Sequence, residues 1–422
     1  MNCYRVQGRR KLDGEVDIQG AKNAVLPIFA ATLLNKGETV IHNCPDIEDA
    51  SVAEKILEEL GCTVTKECNT VTVNSKDAYY KKTDKALVKK MRSSVMFAGS
   101  ILARFGKCIL MQPGGCNIGA RPIVMHINAF KILGGDIKET EEEYEIVLKK
   151  LKCTNLVLPF PSVGVTENVM LLCAGSDCDI YIENAAREPE IEDLANILNT
   201  MGAKIYGAGT SRVRIIGNKN LGNAEHTVIS DRIVLSTYVF SVVGAGGEAV
   251  FNNVRCSNLS KVLETAEKMG ADLRQENKRL ILKMDSVPKG IKIDADVYPG
   301  FPTDAQPFFS AACTVSNGTG VISDKVFPDR FEYIESFLKF AADCTKGGFG
   351  AKITGTDNLR GAKVYARELR GGAALVVMGL LSSGTTEVFG TEFIKRGYED
   401  IIRDINMLGG KAREVVLPDE KN

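Results

Sequence analysis

Apolar positions along this chain follow one pattern six times over. Residues at helical spacing are followed by a glycine and then by a short run of β type. The pattern predicts helices over Ala24–Leu34, Ser94–Phe105, Glu167–Ala174, Arg232–Ala245, Asp304–Val315 and Ala373–Leu381. The glycines that follow are Gly37, Gly106, Gly175, Gly247, Gly318 and Gly384, spaced by 69, 69, 72, 71 and 66 residues. A second landmark interleaves with the first. Leu60-Gly61, Leu133-Gly134, Met201-Gly202, Met269-Gly270 and Leu408-Gly409 each close a further helix, where glycine supplies the left-handed residue that ends a helix cheaply. Near Phe340-Ala341-Ala342 the expected glycine is missing. Two landmarks with one period indicate an internal repeat.

Each unit of about 70 residues therefore holds two helices, the first followed by a strand and the second by a hairpin-like pair, as at Val71-Thr72-Val73 and Tyr144–Leu148. Gly207-Ala208-Gly209-Thr210 reads as a hairpin turn and not as a nucleotide fingerprint. A chain of 422 residues suits two cores, so the six units divide into two groups of three. Residues 1–19 are strands without a helix of their own, and Asp231-Arg232-Ile233 opens the second group. The fold class expected is α/β, with domains at 21–230 and at 1–20 plus 231–422.

Composition narrows the function. Charges balance, 53 against 53, so no global field recruits nucleic acid or membrane. The N-terminus lacks an apolar signal-peptide region, and no run is long enough to span a membrane. Twelve scattered cysteines without a C-x-x-C, some in apolar runs (Cys173, Cys313), point to a reducing cytoplasm and not to a disulfide scaffold. His42, His126 and His226 are the only histidines, and none has zinc-site spacing. No metal or cofactor is expected.

Anion binding must come from local cations. Lys22, Arg92, Arg232 and Arg370 lie at or near helix starts, where converging helix N-termini would add to a receptor for a small polyanion. Any one of them, alone, reads first as a solvated charge. The loop Gln112-Pro113-Gly114-Gly115-Cys116-Asn117-Ile118-Gly119-Ala120-Arg121-Pro122 carries one thiol and ends at one guanidinium. By itself it is a Gly-rich turn with an incidental cysteine, although a nearby cation lowers a thiol pKa.

The stretch from Pro113 to Pro122 is similar, without a break, to the Pro-Gly-Gly-Cys-x-Ile-Gly-x-Arg-Pro lid of the UDP-N-acetylglucosamine 1-carboxyvinyltransferases. Gly20-Ala21-Lys22-Asn23-Ala24, Met91-Arg92-Ser93-Ser94, Pro299-Gly300-Phe301-Pro302-Thr303-Asp304 and Arg396-Gly397-Tyr398-Glu399 also resemble that family. The resemblance implies two domains of inside-out α/β construction, each of three β-α-β-α-β-β repeats, with the active site in the cleft between them. It implies transfer of the enolpyruvyl group of phosphoenolpyruvate to UDP-N-acetylglucosamine in peptidoglycan synthesis, with no nucleic-acid, membrane or obligate protein partner.

Carried over residue by residue, the resemblance implies that Lys22, Arg121 and Arg396 grip phosphoenolpyruvate and that Arg330 and Arg370 lie near its carboxylate. Asp304 takes the proton from the sugar hydroxyl, although an isolated Asp there would read as a helix cap. Cys116 is the proton donor or the covalent nucleophile. Asn23, Arg92, Pro122, Ile123, Val124, Met125 and Val326 line the substrates, and Ser162-Val163-Gly164 meets the diphosphate. His126, Glu188 and Glu190 are further candidates; Glu188 and Glu190 flank Pro189 and equally make an ordinary helix N-terminus. Five positions depart from the family pattern: Val124, Phe160, Val234, Glu368 and Lys395. They leave open a binding paralogue without turnover, or a changed acceptor. The shikimate-pathway transferase, which lacks the Cys lid, is a weaker match.

Overall fold

The computed structural model describes residues 2–82, 92–111 and 123–417, with the side chains of 92–94 left out. Cys116, Arg121 and Pro122 lie outside the described residues. Two compact units are present, one from residues 20–229 and the other from residues up to 19 together with those from 230 onward.

The unit of residues 20–229 holds α1 (Lys22–Ala31), α2 (Glu48–Glu59), α3 (Ala98–Phe105), α4 (Val124–Ile132), α5 (Val163–Ala174) and α6 (Pro189–Met201). Its core helices are enclosed on every side: Ala24–Ala31 of α1 and Val165–Ala174 of α5 are buried throughout. A helix without a solvated face has to be enclosed by other elements, and here the strands do this. The outer helices α2 and α6 are amphipathic and keep polar residues on one side.

The second unit repeats the scheme with α7 (Arg232–Ala245), α8 (Ser260–Met269), α9 (Gln306–Cys313), α10 (Tyr333–Phe337), α11 (Leu369–Leu381), α12 (Thr391–Lys395) and α13 (Ile401–Met407). All of α9 and α11 is buried, and α7, α9 and α11 pack on one another. Gly379 lets α11 lie close against the strands Asn2–Gln7 and Thr385–Phe389, since a Cβ there would stand 3.1 Å from side-chain atoms of both Val6 and Thr386.

Six sheets surround the helices, three per unit; five are mixed, and the sixth is antiparallel among the described residues. Five have the same order, a strand parallel to the one that follows a core helix, which in turn pairs antiparallel with a two-stranded antiparallel pair; that pair is a hairpin in four of them and Asn2–Gln7 with Lys411–Val416 in the fifth. The sheet of Lys107–Met111, Asp136–Glu139 and Glu143–Val147 shows three strands among the described residues. Asn2–Gln7 and Gly14–Asp17 supply the strands missing from two sheets of the second unit.

The second landmark holds at all six positions. Gly61, Gly134, Gly202, Gly270 and Gly409 have φ between 82° and 115°. Ala341, where the glycine is missing, adopts the same left-handed conformation at φ 61°. Gly207 and Gly209 turn a hairpin between Lys204–Tyr206 and Arg212–Ile216, as expected.

One expectation fails. Cys153 and Cys178 are bonded, with Cα atoms 5.1 Å apart. Scattered cysteine spacing could not reveal this pair, because the segment running into Leu156–Val157 is drawn beside Asp179–Glu183 by a parallel pairing. The other nine described cysteines are in no disulfide, and all but Cys68 are buried.

Candidate active site

In the unit of residues 20–229, Lys22 is the first residue of α1. A cation there opposes the helix dipole, and Asp49 of α2 offsets this, with its buried Oδ2 2.7 Å from Lys22 Nζ. Asn23 follows on the same turn.

Ile123, Val124, Met125 and His126 form the start of α4, with Val124 exposed and the others partly buried. Asn168 fixes His126. The Gly99 N–H can only donate, and it meets Asn168 Oδ1 at 2.7 Å, so the amide nitrogen faces His126 Nδ1 at 3.1 Å. Nδ1 therefore accepts and Nε2 carries the proton. Burial pushes the imidazole down to about 4, so the ring is neutral. The ring lies 3.3 Å from where a Cβ on Gly164 would stand, an approach that the glycine allows.

Ser162, Val163 and Gly164 open α5, with Ser162 Oγ accepting from the Val165 N–H at 3.5 Å. Thr166 ties this turn to the segment before α6, donating to the Ser162 carbonyl at 2.9 Å and accepting from the Ala186 N–H at 3.1 Å. Glu188 precedes Pro189 at the start of α6 without capping that helix; its carboxylate accepts from the Arg187 N–H at 3.0 Å. Glu190 is buried.

In the second unit, Asp304 lies in a 3-10 turn ahead of α9. No side chain caps α9; the Asp304 carboxylate instead takes Arg330 Nη1 on Oδ1 at 2.5 Å and Arg370 Nε on Oδ2 at 3.2 Å. Both guanidinium groups are almost wholly enclosed, 5% and 2% exposed, while the Asp304 side chain keeps 22%. Burial alone would lower each guanidinium pKa, and the Asp304 charge more than reverses this. Arg330 Nε and Arg370 Nη1 are buried with no hydrogen-bond partner.

The supports of this cluster come from four directions. Asp324, fully buried, accepts from Thr303 Oγ1 at 2.5 Å and from the N–H groups of Val326 and Phe327 at 2.8 Å, so it sets both the Asp304 turn and the Val326 turn. Glu368 caps α11 through the N–H groups of Arg370 and Gly371. Arg370 lies over the Tyr398 ring, whose hydroxyl meets Thr237 Oγ1 at 2.7 Å. Burial pushes the Tyr398 phenol up to about 12, so it stays neutral. Arg396 follows α12 and is partly buried. Among the described residues no group of three His, Cys, Asp or Glu side chains could hold a metal ion.

The family model of EPSP synthase (3-phosphoshikimate 1-carboxyvinyltransferase) matches residues 6–405. The chain is 39% identical to UDP-N-acetylglucosamine 1-carboxyvinyltransferase 2 of Caldanaerobacter subterraneus subsp. tengcongensis, over 97% of this chain and 98% of that one. It is 38% identical to UDP-N-acetylglucosamine 1-carboxyvinyltransferase of Finegoldia magna, over 99% of this chain and all of that one. The chain belongs to the UDP-N-acetylglucosamine 1-carboxyvinyltransferases. The enolpyruvyl transferase NikO from Streptomyces tendae has the same fold, with a TM-score of 0.90 at 19% identity and 99% of both chains covered.

Against this family's pattern, the five departures have separate structural settings. Val124 and Phe160 are exposed, at 49% and 42%. Val234 is fully buried within α7, Glu368 is the α11 cap, and Lys395 makes a half-exposed pair with Glu414 at 2.9 Å. Sequence reasoning missed Asp49, Asn168, Asp324, Thr237 and Tyr398. Asn168 carried a signal, being a polar residue inside an otherwise apolar helical run. Asp324 carried none beyond its place at the end of a strand.

Proposed function

We propose that this protein transfers the enolpyruvyl group of phosphoenolpyruvate to the 3-hydroxyl of UDP-N-acetylglucosamine, releasing phosphate and opening peptidoglycan synthesis in the cytoplasm. The observation that carries this reading is Asp304 held between two buried guanidinium groups, in a chain related over its full length to transferases of that name. No described helix is long and apolar enough to cross a membrane.

In this reading the two units are inside-out α/β domains whose facing rims receive the substrates. Asp304 accepts the hydroxyl proton as the sugar oxygen adds to C2 of phosphoenolpyruvate, while the methylene carbon gains a proton. Cys116 supplies that proton, or adds to C2 itself. Loss of a methyl proton and of phosphate then gives the enol ether. Lys22, Arg121 and Arg396 hold the phosphate, and Arg330 and Arg370 the carboxylate, whose charge their unpartnered nitrogens are suited to meet. Asn23, Arg92, Pro122, Ile123, Val124, Met125, Val326 and the Ser162–Gly164 turn line the nucleotide sugar. The resemblance gives the Gly-rich loop of Cys116 the role of a lid that shields the intermediate from water. None of these steps needs a cofactor.

The test is phosphate release from phosphoenolpyruvate with and without UDP-N-acetylglucosamine. Release that depends on both substrates is expected. Binding of both without release would overturn the reading in favour of a non-catalytic paralogue.

A further inference from the structure

Glu167, the fifth residue of α5, is 1% exposed, and neither of its carboxyl oxygens has a hydrogen-bond partner. The polar residues on either side of it are engaged. Thr166 bonds the Ser162 carbonyl and the Ala186 N–H, and Asn168 bonds Gly99, Val95 and His126. An unpartnered carboxyl in a buried helix costs stability and contributes nothing to packing that an alkyl side chain would not.

Among the described residues no charged group neutralises it. Burial, then the charges of Glu190 and Glu188 from the start of α6, push its pKa well above the usual carboxylate range. His126 of α4 is neutral and turned to Asn168. Lys22 of α1 is engaged by Asp49. Arg104, in the last turn of α3, bonds carbonyls at the far end of that helix. Asp179, Glu183, Arg212 and Arg214 on the adjacent strands pair with one another at the surface. The side chain of Arg92, ahead of α3, is outside the described residues.

We propose that Glu167 acts as a neutral carboxylic acid, a positioning residue that keeps negative charge out of the helix end receiving the diphosphate. This rests on the reading that the Ser162–Gly164 turn takes the diphosphate of the nucleotide sugar. Glu167 lies three residues beyond Gly164, about 4.5 Å along the helix axis. An ionised carboxylate there, shielded from water, would repel the phosphates and cancel the attraction of the helix N-terminus.

Ionisation of Glu167 should weaken nucleotide-sugar binding and leave turnover at saturation alone. The experiment measures KM for UDP-N-acetylglucosamine against pH in wild type and in Glu167→Gln, which mimics the neutral acid. KM should rise about tenfold per pH unit on the alkaline side in wild type, with kcat unmoved, and this rise should be absent in the Gln variant. Titration of the uracil is common to both proteins and cancels in the comparison. Identical alkaline limbs would overturn the proposal.

A second measurement needs neither variant nor turnover. Infrared or carbon-13 glutamate spectra of the substrate-free wild-type protein should show one carboxyl group still protonated at neutral pH; a fully ionised set would overturn the proposal. If no phosphate is released under any condition, the functional reading fails while this spectral result still stands or falls by itself.

Discussion

The Asp304→Asn variant separates chemistry from charge balance. The substitution keeps shape and one acceptor oxygen but removes the charge that two buried guanidinium groups share. Breaking a buried ion pair by removing one partner costs about 3–5 kcal/mol. Asp304 is 22% exposed, and the Asn oxygen retains one contact, so a loss of about 2–4 kcal/mol is expected. Loss of a general base lowers kcat by about 10²–10⁴.

Phosphoenolpyruvate affinity should not fall with kcat, because Asp304 and the substrate carboxylate compete for the same guanidinium groups. Three measurements check this together. Phosphate release gives kcat, calorimetry gives phosphoenolpyruvate binding, and hydrogen exchange over residues 303–313 and 369–381 gives local stability. Exchange there should quicken in the variant and recover when phosphoenolpyruvate is added. A variant that exchanges like wild type and keeps more than a tenth of its kcat would refute the reasoning.

Two further outcomes are expected. Ala341→Gly relieves a left-handed alanine at φ 61° and should raise the unfolding free energy by about 0.5–1 kcal/mol after the added freedom of the unfolded chain, read as a higher urea midpoint. His126, whose folded pKa is lowered to about 4 by burial, takes up protons later in the folded than in the unfolded protein. Stability should therefore fall as pH drops from about 6.5 to about 4, by up to about 3 kcal/mol, and His126→Gln should flatten that part of the curve.

The repeat was legible because its second landmark is a backbone requirement. A left-handed residue after each second helix is needed whatever surrounds it, and Ala341 shows that the conformation outlasts even the loss of glycine. Asp304 was legible through its resemblance, not through chemistry: the same residue at a helix start reads as a cap, and only the structure turns its carboxylate to Arg330 and Arg370. Asp49 and Asp324 were illegible because their partners, Lys22 and the 303 and 326 turns, lie 20 or more residues away or on another element. The bond between Cys153 and Cys178 depends on a parallel strand pairing that no local pattern encodes.

The strand Asn2–Gln7 is hydrogen-bonded on one side to Thr385–Phe389 and on the other to Lys411–Val416. As the chain leaves the ribosome, the segment from 20 to 229 can therefore collapse while its flanking strands have nothing to pair with. Asn2–Gln7 must wait, solvated, for two strands made much later. Closing so wide a loop is slow, and it sets the time for which an unpaired β edge is open to other chains. A chaperone that shields one short N-terminal stretch would protect the molecule during that interval.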